Sequence, residues 1–320
     1  DTTDDLIALA EKVSPSLHAP QMARELDMLL TSGERISMAL LSMALRDLGV
    51  DAISFTGSQA GIVTDESHTR AKILEIKPFR VRDELGRGKV VILAGFQGVS
   101  RTKEVTTLGR GGSDTTAVAM AAALGAERCQ VFTDVAGIFS ADPRVVPEAV
   151  RYARLPIDLV HVMALSGAQV MHARAMELAR QKQLSLYVGL AHPSLGHDSE
   201  WGTMIEANVE ALELPRVVAV TAKKNLVRLT CTDSANALKE LCAESVLVHG
   251  FEVLADGRAE VILDATESLA FLENLKSKAA VQTETVHTIT LVGYDVAQNA
   301  QVPAQVVDIL GGLLKNNSGK

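Results

Sequence analysis

Apolar residues recur at helical and strand spacings in alternation along this 320-residue chain. Leu6, Ile7, Leu9 and Ala10 give one helical face over residues 1–13, with Thr2 or Thr3 available as a cap. Between Thr31 and Leu48, the positions Ile36, Leu40, Met43 and Ala44 predict a second helix, which Gly49 ends. A strand is expected at 51–55, followed by the turn-rich loop 56–61. Residues 89–94 (KVVILA) form a continuous apolar run rich in β-branched side chains. That is the pattern of a strand buried on both faces of a parallel sheet. An Ala-rich helix over 115–124 stops at Gly125, and a strand follows at 130–133. Helices are predicted at 157–165 and 170–180. The order strand, loop, helix predicts a doubly wound α/β domain, a mostly parallel sheet sandwiched by helices.

The pattern changes across 191–203 (AHPSLGHDSEWGT), which holds the single Trp. Beyond it the units shorten. Strands are expected at 217–220, 226–231, 246–254 and 258–263, with helices at 234–242 and 267–275. This β-α-β-β-α order predicts an α+β ferredoxin-like unit over about 217–280, and a second, incomplete unit from about 287. The expected division is therefore 1–205 and 206–320.

Composition narrows the function. Aromatic residues make up 3% of the chain, so the cores rest on aliphatic side chains, as in helix-on-sheet packing. The net charge is −8, with no basic stretch and no aromatic–basic interleaving, which argues against nucleic-acid binding. No apolar run reaches the roughly 20 residues that span a bilayer. Cys129, Cys231 and Cys242 show no metal-ligand spacing, so no metal site is expected from them. A reducing cytoplasmic setting fits their usage.

The strongest chemical signal is Gly109-Arg110-Gly111-Gly112-Ser113-Asp114, set between a strand and a helix. Glycines let backbone approach a ligand, and a helix N-terminus favours an anion. Ser113 is placed to cap the helix, and the forked Arg110 suits a carboxylate or phosphate. The same segment also reads as an ordinary capped turn with Arg110 in solvent. It matches neither the dinucleotide glycine pattern nor the P-loop. A second signal, TDVAGIFSADPR at 133–144, puts Asp134, Asp142 and Arg144 after a strand, where open α/β sheets bind ligands. Taken alone, the segment is better accounted for by plain turn chemistry. A third is Thr31-Ser32-Gly33-Glu34, which has capping-box spacing. Glu34 could close that box or accept the ammonium of an amino acid. His161 and His172 stand alone in helical patterns and read as packing residues.

Taken together, the blocks DTTDDLIALA, LDMLLTSGERIS, SFTGSQAGI, AGFQGV, TTLGRGGSDTTAVA, TDVAGIFSADPR and GAQVMHARAMELA resemble the aspartate kinase family, in the family's order, over residues 1–205. The later units resemble ACT regulatory modules. The resemblance implies the amino-acid kinase fold and transfer of the ATP γ-phosphoryl group to the side chain of L-aspartate, with Mg²⁺. That step opens lysine, threonine and methionine synthesis. Thr3, Glu34, Phe96, Arg110 and Ser113 are expected to line the aspartate site, with Arg110 on a carboxylate and Glu34 on the ammonium. Asp114 is expected to orient its catalytic neighbours. Thr133, Asp134, Phe139, Asp142, Arg144 and Gln169 are expected around the nucleotide. Feedback by lysine, threonine or both, and pairing of chains through the ACT-like region, are also implied.

Some positions depart from the family. An opening strand and glycine loop of the K-F-G-G-T-S type, which supplies a lysine to the phosphoryl group, is expected before residue 1 and absent from this chain. Gln169 stands where many relatives carry a lysine facing the phosphates, and Phe139 replaces a frequent Tyr. Thr232-Asp233-Ser234 lacks the Pro-Gly turn usual before the first ACT helix. A second reading follows: a catalytically incomplete amino-acid sensor that pairs with a complete kinase. Glu34, Arg110 and Asp114 weigh against it, because a sensor has no use for them.

Overall fold

The computed structural model describes residues 2–17, 19–191, 202–207, 217–231, 239, 248–265, 268, 271–272, 281–294, 296 and 306. They fall into two compact units. The first comprises 1–140, 148–165 and 169–213; the second comprises 141–147, 166–168 and 214–320. Among the described residues, no helix is long and apolar enough to cross a membrane.

The first unit opens with helix α1 (Thr2–Val13) and a 3-10 turn (Pro20–Met22), then the long helix α2 (Ala23–Asp47). Helix α2 starts eight residues before Thr31, so Thr31 lies inside it and caps nothing. The Thr31 hydroxyl instead donates to the Met28 carbonyl at 3.1 Å. The capping-box reading of Glu34 is thereby corrected, and its carboxylate is free of that role.

Strands β1 (Ala52–Phe55) and β4 (Val90–Leu93) pair in parallel. Strand β4 is half-buried and Val90 is exposed, which corrects the expectation of burial on both faces. A four-stranded sheet runs β3-β2-β5-β6, from β2 (Ile62–Thr64), β3 (Ile73–Ile76), β5 (Gln97–Ser100) and β6 (Val105–Thr107). Another runs β7-β9-β10-β8, from β7 (Arg128–Thr133), β8 (Arg154–Pro156), β9 (Ser185–Leu190) and β10 (Gly202–Glu206). Pairs β2–β5, β7–β9 and β8–β10 are parallel, while β2–β3, β5–β6 and β9–β10 are antiparallel. The sheets are therefore mixed, with parallel pairs carrying the crossovers. Helices α3 (Phe79–Gly86), α4 (Gly112–Leu124), α5 (Ile157–Leu165) and α6 (Ala173–Lys182) complete the unit. One core joins Phe55, Ala60, Ile62, Val81 and Met120. Aliphatic side chains dominate it, in keeping with the low aromatic content.

In the second unit β11 (Val217–Cys231) is one long strand, bulged near Asn225, where two were expected. Asn225 takes the left-handed conformation at φ 57° that such a kink favours. With β12 (Val248–Val253), β13 (Ala259–Asp264) and β14 (Val281–Gly293) it forms an antiparallel sheet in the order β12-β13-β11-β14. That order is ferredoxin-like. The strand expected to open a second unit at 287 thus begins at Val281 and pairs with β11 as the outer strand of the first sheet. Cys231, Val261, Leu263, Phe271 and Leu272 pack beneath it. Most of the helix expected at 234–242 lies outside the described residues, as does most of that at 267–275.

Candidate active site

The glycine segment is built where β6 turns into α4. Gly109 and Gly111 both take left-handed backbone, at φ 77° and 68°. A side chain at either would be strained, which is why the motif needs glycine there. Gly111 occupies the cap position of α4, and the helix begins at Gly112. The expectation that Ser113 caps the helix is therefore corrected: Ser113 lies inside the first turn and no side chain caps it. Its hydroxyl stands against Gly95 instead, where an added Cβ would be 3.2 Å from Oγ.

Phe96 adopts a strained left-handed conformation at φ 66°. Three contacts fix it. Its N–H donates to Thr116 Oγ1 at 3.1 Å, and its carbonyl accepts from the Leu108 N–H at 2.9 Å. Its ring lies so close to Gly112 that an added Cβ would be 2.7 Å from Cδ2. Gln97 ties the same corner to α2, donating from Nε2 to the Thr31 carbonyl and accepting from Arg35 Nε, both at 3.4 Å. The turn carrying Glu34 is thereby fixed to the residue after Phe96.

Charge at this corner is unbalanced. Arg110 is exposed, and among the described residues no carboxylate pairs with it. Glu34 is half-buried, and desolvation raises its pKa above the ordinary glutamate value. Asp114 is also half-buried. Burial raises its pKa as well, opposed by a hydrogen bond from the His172 backbone and by the imidazole's charge. Buried Cys129 on β7 has its thiol pKa pushed up by burial first and by Asp114 second. Burial thus raises the pKa of both Glu34 and Asp114, a perturbation that is more frequent at functional sites than elsewhere.

Some participants carry no clear sequence signal. The His172 ring fills the space beside Gly111. It also caps α6, accepting from the Arg174 N–H at 3.4 Å. Arg174 donates from Nη1 to the Leu108 carbonyl at 2.6 Å and from Nη2 to the Ala71 carbonyl at 3.0 Å. Burial lowers its pKa from the ordinary arginine value, against an opposing pull from Asp65. The turn that carries Gly109–Asp114 is braced by residues from distant stretches of the chain.

The remaining predicted residues stand elsewhere. Thr3 falls in α1, and its side chain lies outside the described residues. Thr133 ends β7, and its hydroxyl donates to Asp134 Oδ1 at 3.0 Å. Phe139 bridges Arg151, and Ile138 N–H donates to Thr203 Oγ1 at 2.8 Å, so that loop is pinned to β10. Gln169 is exposed. Asp142 and Arg144 belong to the second unit. There they form a two-pronged pair, with Arg144 Nε and Nη2 at 3.0 and 2.9 Å from the carboxylate. That pair holds the Asp142 pKa below the ordinary value.

A family model for the amino acid kinase family matches residues 1–189. An aspartokinase of Corynebacterium efficiens is 36% identical over 97% of this chain and 77% of its own length. The chain belongs to the aspartokinases of the amino acid kinase family. An aspartokinase of Mycolicibacterium smegmatis is 50% identical over 215 residues, which are 67% of this chain and 49% of that protein. The chain thus matches about half of one such aspartokinase and about three quarters of another. The fold is that of E. coli aspartokinase III solved with aspartate and ADP, with TM-score 0.80 and 26% identity over 96% of this chain and 71% of that one. The same E. coli enzyme solved with lysine and aspartate gives TM-score 0.65, over 92% of this chain and 68% of that one.

Proposed function

We propose that this aspartokinase-family chain transfers the γ-phosphoryl group of ATP to the side-chain carboxylate of L-aspartate, giving 4-phospho-L-aspartate and ADP. The observation that carries this reading is Arg110, a guanidinium with no carboxylate partner among the described residues, held between two left-handed glycines at the start of α4. Arg110 grips a carboxylate of the substrate with two parallel hydrogen bonds. Glu34 accepts from the ammonium, and Phe96 and Ser113 close the pocket around the carbon chain; Thr3 is assigned to the same substrate. An aspartate side chain is already ionised at neutral pH, so no general base is needed to make it a nucleophile. One carboxylate oxygen forms the new bond to phosphorus as the bond to the ADP oxygen breaks. The protein's share is placement and charge neutralisation. Asp114 holds the N-terminal turn of α4 to the His172 backbone and so orients the donors there.

On the nucleotide side we assign Thr133, Asp134 and Phe139 to the base and ribose, and Gln169 to the phosphates. Mg²⁺ would neutralise phosphate charge when bound with the nucleotide. The ferredoxin-like sheet supports a regulatory role for the second unit, with lysine or threonine as effector and a second copy as partner. Calorimetric titration with L-aspartate tests the core of the proposal. Heat of binding that disappears in Arg110→Ala supports it, and identical isotherms for the two proteins contradict it.

A further inference from the structure

Helix α2 carries a carboxylate that the assigned roles leave unused. Asp27 is fully buried. Its oxygens accept from the Thr69 N–H at 3.0 and 3.2 Å and from the Thr107 hydroxyl at 2.6 Å, and His68 Nδ1 lies 2.7 Å away. A carboxylate taken out of water is tolerated only when such donors surround it. Here the donors come from two segments, the turn 68–69 and the end of β6.

Those segments form the back of the glycine loop. Thr69 is held left-handed at φ 67°, a conformation that β-branched residues avoid. Its carbonyl lies against Gly109, where an added Cβ would be 2.8 Å from the oxygen. Ala71 N–H donates to the Thr107 carbonyl at 2.8 Å. On the other side Arg174 clasps the carbonyls of Leu108 and Ala71. Asp27 is therefore the only described carboxylate that holds both the strained turn and the strand leading into Gly109–Arg110.

We propose that Asp27 is a positioning residue for the glycine loop: it locks the Thr69 turn beneath Gly109 and so fixes Arg110 where it meets the substrate carboxylate. The consequence for substrate rests on the aspartate reading above; the brace itself does not.

The test compares the parent protein with Asp27→Asn, Thr69→Gly and the double variant, by amide hydrogen exchange and by kinetics with aspartate and ATP. Asp27→Asn should speed exchange at Thr69, Ala71 and Leu108 by roughly tenfold or more while β7–β9 amides keep their protection. It should also raise the KM for aspartate about tenfold, with the KM for ATP within about twofold. Glycine takes the left-handed turn without help, so the double variant should recover much of the aspartate KM. Unchanged exchange at Leu108 overturns the proposal. So does a fall in kcat or melting temperature with both KM values unmoved, or a double variant no better than Asp27→Asn. If the parent neither binds nor phosphorylates aspartate, the functional reading falls, and the exchange comparison alone then decides the brace.

Discussion

Gly111 and His172 share one volume: a Cβ on Gly111 would fall within the His172 imidazole. The turn into α4 and the cap of α6 are therefore a single packed unit, although 60 residues of chain lie between them. Gly111→Ala would meet the ring and would also force a left-handed alanine, at about 1–2 kcal/mol for the backbone alone. The expected outcome is a melting temperature lowered by several degrees and loss of aspartate binding. Differential scanning calorimetry and titration on the same preparation check it.

Arg110→Ala removes the charged donor from the substrate carboxylate. The expected loss is about 1.5–3 kcal/mol, or roughly 10- to 100-fold in kcat/KM for aspartate. Arg110→Lys should recover only part of it, because a point charge does not reproduce the planar fork. Since Arg110 is exposed and unpaired among the described residues, stability should not change. Steady-state kinetics beside a denaturant melt separates the two effects.

The raised pKa of Glu34 gives a pH prediction of definite sign. Desolvation penalises the charged form in the folded protein, so the native state holds its proton to higher pH than the unfolded chain does. Stability is therefore lost as pH rises from the ordinary glutamate range through the raised value. Glu34→Gln should abolish that slope and leave the protein at least as stable at neutral pH. Ligand binding runs the other way: only the ionised carboxylate accepts the ammonium, so the KM for aspartate should rise as pH falls through the same range. In Glu34→Gln the KM should be high at every pH. Melts and kinetics across mildly acidic pH test both halves.

Much of this site was legible in the sequence because its chemistry is local. The glycines, Arg110 and Asp114 stand together, and the stops at Gly49 and Gly125 mark the ends of α2 and α4. What was not legible depends on distant partners. Thr31 and Glu34 have capping spacing, yet the helix had already begun at Ala23, because Asp27, Leu30 and Thr31 turn to one buried face. Ser113 looked like a cap, but Gly95 takes up its neighbourhood. Asp27 within an apolar DMLL run was the one clue to the brace: a lone acid on a core-facing stripe needs donors from elsewhere. In the second unit, the ladder to β14 joins two predicted strands into one, and no local pattern encodes a partner some 60 residues away.

Gln169→Lys adds a cation at the position assigned above to the nucleotide phosphates. Gln169 is exposed, so the added charge costs no burial. The KM for ATP should fall by roughly threefold to tenfold at low ionic strength and approach the parent value at about 0.5 M salt, where screening shortens the field to a few ångströms. The KM for aspartate should stay the same.

The most direct measurement is hydroxylamine trapping of the acyl phosphate, with ADP release followed in the same reaction mixture of ATP, Mg²⁺ and L-aspartate. The account predicts aspartyl hydroxamate in step with ADP, dependent on aspartate and strongly reduced in Arg110→Ala. ADP release indifferent to aspartate, or hydroxamate formed equally well by Arg110→Ala, would contradict it.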